Sequence, residues 1–405
     1  MTAPTILDAS KEFSISQINS YLLAKHHLMR RDGKDICTVA DDLLGLHATS
    51  NVTPYISLFN RIEKFSTEDL TRTIYDQEGL VRIRAMRGTF FLVTQSLLST
   101  MTEATQFPKD RINKSLANAA ISLAEFQTVS KLILDSVSER PKSLPEIKRE
   151  LSSAHARTLD WKRGHRITRR TNLGVVLHVL LLQRRVQSLP EKIVWRSINW
   201  DGYGTRTFTR IKKVTYALGS TQISDSIGLE EAKTKLAQLY VKRYGPVTIE
   251  DIAWWMDEPK LGVLRFLNRL SDKVAKIWIT GSPGDFLLCN DDVERLEKAG
   301  VNDVEVRFLP YEDPYAKGWK VKARIIPRTM EKRVYPFGNA LPTVTVDGRI
   351  TATWSVVAVE KTAKLNVTRV VPTDRKMDAS IVEEGQRLGE FLMGERPITV
   401  VLRGP

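Results

Sequence analysis

Cysteine is nearly absent: Cys37 and Cys289 are the only two in 405 residues, and they lie far apart. Such a pair fits a reducing cytoplasm and leaves no basis for a zinc site. No apolar run approaches the ~18 residues that a membrane helix needs, so no membrane partner is expected. The opening MTAPTILDASKEF has neither a basic n-region nor an apolar h-region, and no secretion signal is expected. Missing too are a G-x-x-x-x-G-K-[ST] loop, an H-E-x-x-H pair and any cysteine cluster. ATPase and metallohydrolase chemistry therefore falls away, and no cofactor or metal is expected. Acidic residues are the scarcer charge, 47 against 61 Lys and Arg, for a net charge of +14. A field of that sign attracts polyanions, and nucleic acid is the usual cytoplasmic one.

The hydrophobic content of 42% and charged content of 27% are those of a globular protein. The length implies several domains. Along the chain, SISQINSYLLAKHH reads as an amphipathic helix capped by Ser14. CTVADDLLGLHA reads as a second helix from about Thr38. Pro54 can occupy the first turn of a third, since its missing N–H would be unpaired there. Ser66 and Asp69 open a fourth with a capping pattern. LVRIRAMRGTFFLVT then reads as two strands around a turn, with Arg82 and Arg84 on one outward face.

The pattern returns twice. EFQTVSKLILDSVSE, SLPEIKRELS and NLGVVLHVLLLQRRV are helical, and IVWRSINWDGYGTRTFTRIKKVTY follows as two strands around a glycine-bearing turn. LEEAKTKLAQLYVKRYG, TIEDIAWWM and LGVLRFLNRL precede strands in VAKIWITGSPGDFLLC. After about Val301 the chain turns strand-rich, with VDGR a hairpin signal and one helix, ASIVEEGQRLGEFLMG. Short helices followed by a hairpin are the pattern of a winged helix. The expectation is an α+β chain of three tandem winged-helix units (1–105, 106–225 and 226–300) and a β-barrel-like domain (301–405).

The stretches LLGLHATSNVTPYISLFNRI, LVRIRAMRGTFFLVT, YVKRYGPVTIEDIAWWM, FLPYEDPYAKG and PTVTVDGRITATW occur in this order over nearly the whole chain. In them the sequence resembles the AlkZ-like bacterial DNA glycosylases, whose chains are three winged helices and a C-terminal β-barrel. The resemblance implies DNA repair by cutting the N-glycosidic bond of alkylated purines in damaged duplex DNA, bulky adducts and crosslinks included. It implies a cytoplasmic, nucleoid-associated protein, here expected as a monomer. The family's catalytic motif is Gln, an aliphatic residue, then Gln or Asp, after Gly-Leu. Those positions are His47, Ala48 and Thr49, so both polar positions depart from the pattern. The alternative is a non-catalytic winged-helix DNA-binding protein, a regulator or lesion binder.

Alkylation at N7 or N3 makes a purine a good leaving group, so such an enzyme must mainly stabilise the developing oxocarbenium ion and position one water. A neutral His47 can accept a proton from that water and Thr49 can hydrogen-bond it. The two converge only if the backbone is non-helical there. The plainer reading is a helix-end cap followed by a hydroxyl turn. For DNA contact the candidates are Arg157, Lys162, Arg163, Arg166, Arg169 and Arg170, a basic run suited to phosphates. Trp200, Tyr203, Arg206, Arg210 and Lys212 flank the glycine-rich second turn, which can enter a groove. Arg87, at the first turn, lies beside the catalytic segment in the register that the resemblance implies and can there reach a flanking phosphate; a plain exposed strand is the other reading. The basic run also reads as a solvated loop, and Trp200 and Phe208 as core. Trp254 and Trp255 read as core, and Glu312 with Asp313 as a structural loop.

Overall fold

The structure is a computed structural model. It describes residues 7–31, 33–77, 79–106, 109–151, 155–163, 166–183, 185–190, 214–218, 227–300, 305–359, 362–394 and 397–404. Strand β1 (Leu7–Phe13) leads into α1 (Ile15–Lys25). A capping box starts this helix: the Ser14 hydroxyl accepts from the Gln17 amide, and the Gln17 side chain accepts from the Ser14 amide. Helix α2 (Ile36–Asp42) begins two residues before the expected Thr38, because Asp35 caps it. Then come β2 (Leu46–His47), α3 (Thr53–Phe59) with Pro54 in its first turn, and α4 (Thr67–Tyr75), capped by Ser66. Strands β3 (Leu80–Arg84) and β4 (Phe90–Thr94) and helix α5 (Gln95–Ala104) complete a first set. Its sheet has the antiparallel order β2-β4-β3.

The second set contains α6 (Lys109–Asn118), α7 (Leu123–Ser136), β5 (Lys142–Ser143) and α8 (Leu144–Glu150). Strands β6 (Thr158–Arg163) and β7 (Arg166–Thr171) follow, then α9 (Asn172–Leu182), β8 (Val186–Pro190) and β9 (Val214–Leu218). The basic run is therefore not a loop but a two-stranded hairpin, with Asp160 opposite Arg169. Its charged alternation concealed the strands. Strand β8 pairs with β9, but β8 precedes the expected first strand from Ile193, and of the expected 193–216 pair only residues 214–216 are described. The expected glycine-bearing turn, with Trp200, Tyr203, Arg206, Arg210 and Lys212, lies outside the described residues.

The third set is α10 (Leu229–Tyr244), α11 (Ile249–Met256), α12 (Lys260–Asn268), β10 (Val274–Ile279), β11 (Ser282–Cys289) and α13 (Asn290–Glu297). Strand β1 joins its sheet, parallel to β10, with Leu7 beside Ala275 and Phe13 beside Ile279.

Next come β12 (Val306–Leu309), α14 (Pro314–Lys317), α15 (Glu331–Val334), β13 (Thr343–Val346), β14 (Arg349–Val359), β15 (Thr362–Arg369), α16 (Arg375–Met393) and β16 (Ile398–Arg403). Asp347 (φ 50°) and Gly348 (φ 76°) make the β13–β14 turn, as VDGR predicts. The expected barrel-like closure is not what forms. The sheet is open, ordered β12-β13-β14-β15-β16, and among the described residues no pairing joins β12 to β16. Helix α16 covers one face instead. It lies so close that a Cβ on Gly389 would come within 2.4 Å of Ile398.

One large apolar core unites α1, α5, α10 to α12, β10, β11 and residues drawn from 309 to 350. The second set closes its own core, from Leu116 to Val186. No helix among the described residues is long and apolar enough to cross a membrane.

Candidate active site

The stretch GLHATS explains its own geometry. Helix α2 closes with Leu44 N–H donating to Asp41 O and Gly45 N–H to Ala40 O, Leu44 and Gly45 having φ of 54° and 95°. A Cβ on Gly45 would meet Val93 at 2.9 Å, so only glycine lets the chain run straight into β2 against β4. In that extended segment, side chains alternate. Leu46 and Ala48 enter the core, and His47 faces the other way, edge-on to Phe91. Thr49 shares the face of His47, and its Oγ1 lies 3.5 Å from His47 Nε2. Thr49 Oγ1 also accepts from Phe90 N–H at 3.3 Å. The two side chains converge because the backbone here is strand, not helix.

Sequence reasoning missed the next partner. Glu312 Oε2 lies 3.9 Å from His47 Nε2. Glu312 has φ of 57°, and its Oε1 accepts from Lys317 Nζ at 3.0 Å and Ala340 N–H at 2.5 Å. His47 is only 5% exposed. Burial first, then Lys317 and Arg87, push its pKa down to about 4, against the opposing pull of Glu312 and Asp313. The imidazole is therefore neutral at pH 7.

Asp313, the neighbouring carboxylate, is structural as expected. Arg61 grips it with two nitrogens, Nη2 to Oδ1 at 2.7 Å and Nη1 to Oδ2 at 2.9 Å. Ser57 Oγ donates to Asp313 Oδ2, and Arg61 Nε donates to His26 O. Thr53 Oγ1 also donates to Tyr311 O. These bonds fix the turn carrying Glu312 to α3, which follows the His47 strand.

Cations surround the pair. Arg87, on the β3–β4 turn with φ of 54°, stacks its guanidinium 4.0 Å from the Trp254 ring centroid. Lys322 Nζ lies 5.3 Å from the same ring and 4.6 Å from Tyr335. Burial first, then Lys317, bring the Lys322 pKa down to about 7. Trp255 is core as expected, stacked on Tyr240, but Trp254 is half-buried at the site edge. Arg82 and Arg84 do share one face, yet both are half-buried over Phe90, at 4.0 and 4.4 Å. Arg82 donates to Ala48 O and Arg84 to Gly88 O.

The basic hairpin is separate. Arg157 braces its base: Nε and Nη2 each donate to Glu125 at 2.8 Å, and Nη2 also donates to Ala120 O. Arg169 and Arg170 are exposed. Of Lys162, Arg163 and Arg166 the structure describes only the backbone. Helix α9 starts directly after the hairpin. Its His178 is lowered to about 4, first by burial, then by Arg84 and Arg170. The hairpin, α9 and the first set thus adjoin.

The sequence model of the AlkZ-like DNA glycosylases matches residues 40–391. The chain belongs to that family. The interstrand DNA cross-link repair glycosylase of Streptomyces sahachiroi is 25% identical over 44% of this AlkZ-like chain and 51% of that protein. The alignment thus spans about half the length of that relative. The solved structure of the DNA glycosylase AlkZ from Streptomyces sahachiroi superposes with a TM-score of 0.73 at 18% identity. It covers 97% of this chain and all of that one, which establishes a shared mixed α+β fold. His47 to Thr49, Arg87, Trp254 and Glu312 to Lys317 all fall within the matched residues.

Proposed function

We propose that this AlkZ-like protein is a monofunctional DNA glycosylase that hydrolyses the N-glycosidic bond of N7- or N3-alkylated purines in duplex DNA. We read its three helix-and-sheet sets as winged-helix units that present a basic surface to the duplex. The observation carrying the activity is the convergence of a neutral imidazole, a hydroxyl and a carboxylate at His47, Thr49 and Glu312. The 3.9 Å between His47 Nε2 and Glu312 Oε2 is too long for a direct hydrogen bond and suits one bridging water.

In this reading the water oxygen bonds to the deoxyribose C1′, and the C1′–N9 electron pair leaves with the purine, neutralising its alkylation charge. The water proton passes to His47 Nε2 and then to solvent. Thr49 orients the water. Thr49 offers no negative charge to the oxocarbenium ion, whereas Glu312, held by Lys317 and Ala340, does. The exposed Arg169 and Arg170, with Lys162, Arg163 and Arg166 of the same hairpin, take phosphates. Bulky adducts and crosslinks are the further substrate class to test.

The test is single-turnover excision of N7-methylguanine from a defined duplex. His47→Ala should lower the rate by roughly 10² to 10⁴ while leaving affinity for undamaged duplex unchanged. Full activity in a folded His47→Ala protein would make this histidine structural. No excision by the unmodified protein on any alkylated duplex would favour a lesion binder.

A further inference from the structure

Phe337 is 103% exposed, and its φ of 55° and ψ of 25° put it in the left-handed region. Isolated exposed apolar residues are ordinary. A bulky ring in that region is an outlier, since its Cβ crowds the backbone. Folding thus gains nothing from this ring and holds it in a strained conformation. Residues kept so against local preference cluster at functional sites.

The turn is rigid. Gly338 N–H donates to Tyr335 O at 3.1 Å, and Asn339 N–H donates to Pro336 O at 3.1 Å. Tyr335 is buried, and its hydroxyl donates to Ala316 O at 2.8 Å. The turn is also wired to the candidate site. Lys317 Nζ donates both to Gly338 O and to Glu312 Oε1, and the backbones of Glu312 and Ala340 are bonded. The turn that carries the ring is therefore bonded to the residue that anchors Glu312. Just upstream, Arg328, Lys332 and Arg333 are exposed, the arrangement a polyanion would meet.

We propose that Phe337 is a wedge that enters the base stack of a duplex at the damaged nucleotide, with Arg328, Lys332 and Arg333 on the flanking phosphates. An apolar ring inserted between base steps unstacks them and opens the duplex. A nucleotide so loosened can present its C1′ to the His47–Glu312 site. The proposal rests on the reading that this site acts on duplex DNA.

The experiment uses full-length protein and a duplex carrying a tetrahydrofuran abasic analogue beside 2-aminopurine. Nothing in this duplex can be excised, so the result is independent of catalysis. Binding should raise 2-aminopurine fluorescence. Phe337→Asn keeps a residue that tolerates the left-handed turn but removes the ring. It should abolish most of the fluorescence rise and weaken binding to this duplex by roughly 10-fold, within the range for loss of one aromatic–base stack. Phe337→Tyr should restore both, and the melting temperature should not fall in either variant. An unchanged fluorescence rise in a folded Phe337→Asn protein would overturn the proposal. Concentration-dependent self-association that this variant abolishes, without any effect on DNA, would overturn it in favour of a protein contact. Inactivity toward alkylated substrates with the fluorescence rise intact would count against the glycosylase reading and leave the wedge standing.

Discussion

The surroundings of His47 and the hairpin β6–β7 are built in opposite ways. The surroundings of His47 are assembled from distant parts of the chain: Glu312 faces it, Arg61 locks Asp313, and Trp319 Nε1 donates to Tyr244 O. The hairpin belongs to a set whose core runs only from Leu116 to Val186, and its Arg169 and Arg170 are exposed. One region is rigid and non-local, suited to fixing reacting atoms. The other is local and exposed, suited to gripping a charged backbone. Substitutions in the first should therefore move stability and chemistry together, and substitutions in the second should move affinity alone.

The largest effect expected is from Arg61→Ala. It strands the buried Asp313 carboxylate and should cost about 3–5 kcal/mol, read as a fall in denaturation midpoint together with lost excision. A variant that kept its stability would show that the turn bearing Glu312 does not depend on this pair. Acid comes next. His47 has a folded pKa of about 4, below the ordinary ~6.5 of an unfolded chain. Its neutral form is present in both states above pH 6.5. As pH falls from about 6.5 to about 4 the unfolded state takes up the proton first, and about 3 kcal/mol of stability is lost. His47→Gln should flatten the dependence of melting temperature on pH over that window, leaving the shares of His26 and His178, which burial also lowers. An unaltered slope would mean that His47 is not desolvated in solution.

The hairpin sharpens the comparison from the other side. Arg169→Glu with Arg170→Glu should weaken binding to every duplex and lower the slope of log K against log salt by about 2, with no change in melting temperature. A fall in excision at saturating protein would break the division between grip and chemistry. Thr49→Ala should have the smallest effect, a few-fold loss of single-turnover rate, since a neutral hydroxyl contributes about 1 kcal/mol.

What the sequence revealed was what local physics decides. Ser14 and Ser66 announce their helices because capping involves only four consecutive residues, and Asp347-Gly348 announces a hairpin because few residues tolerate that turn. The convergence of His47 with Thr49 was legible only as a condition, satisfied once Gly45 admits the chain to β4. The hairpin β6–β7 was hidden by charge, since the alternation of Leu159 and Trp161 with Asp160 and Lys162 is short and the basic residues around it read as a solvated loop. Glu312 was hidden by distance: no local pattern relates it to His47. Nor does composition separate it from Asp313, although Arg61 takes one and leaves the other facing the imidazole. The open sheet was hidden because strand count alone does not say whether edges meet.

The parallel pairing of β1 with β10 has a consequence for biosynthesis. Leu7 must wait for Ala275, and a ribosome adding ~5–20 residues per second takes roughly fifteen seconds to a minute to supply it. Until then β1 has no sheet to join, while the second set, whose contacts are local, is free to fold as it emerges. Closing so long a loop is slow as well as late. Newly made chains should therefore pass through an interval in which β1 is without a partner, and chaperones would have their best opportunity to hold the chain then.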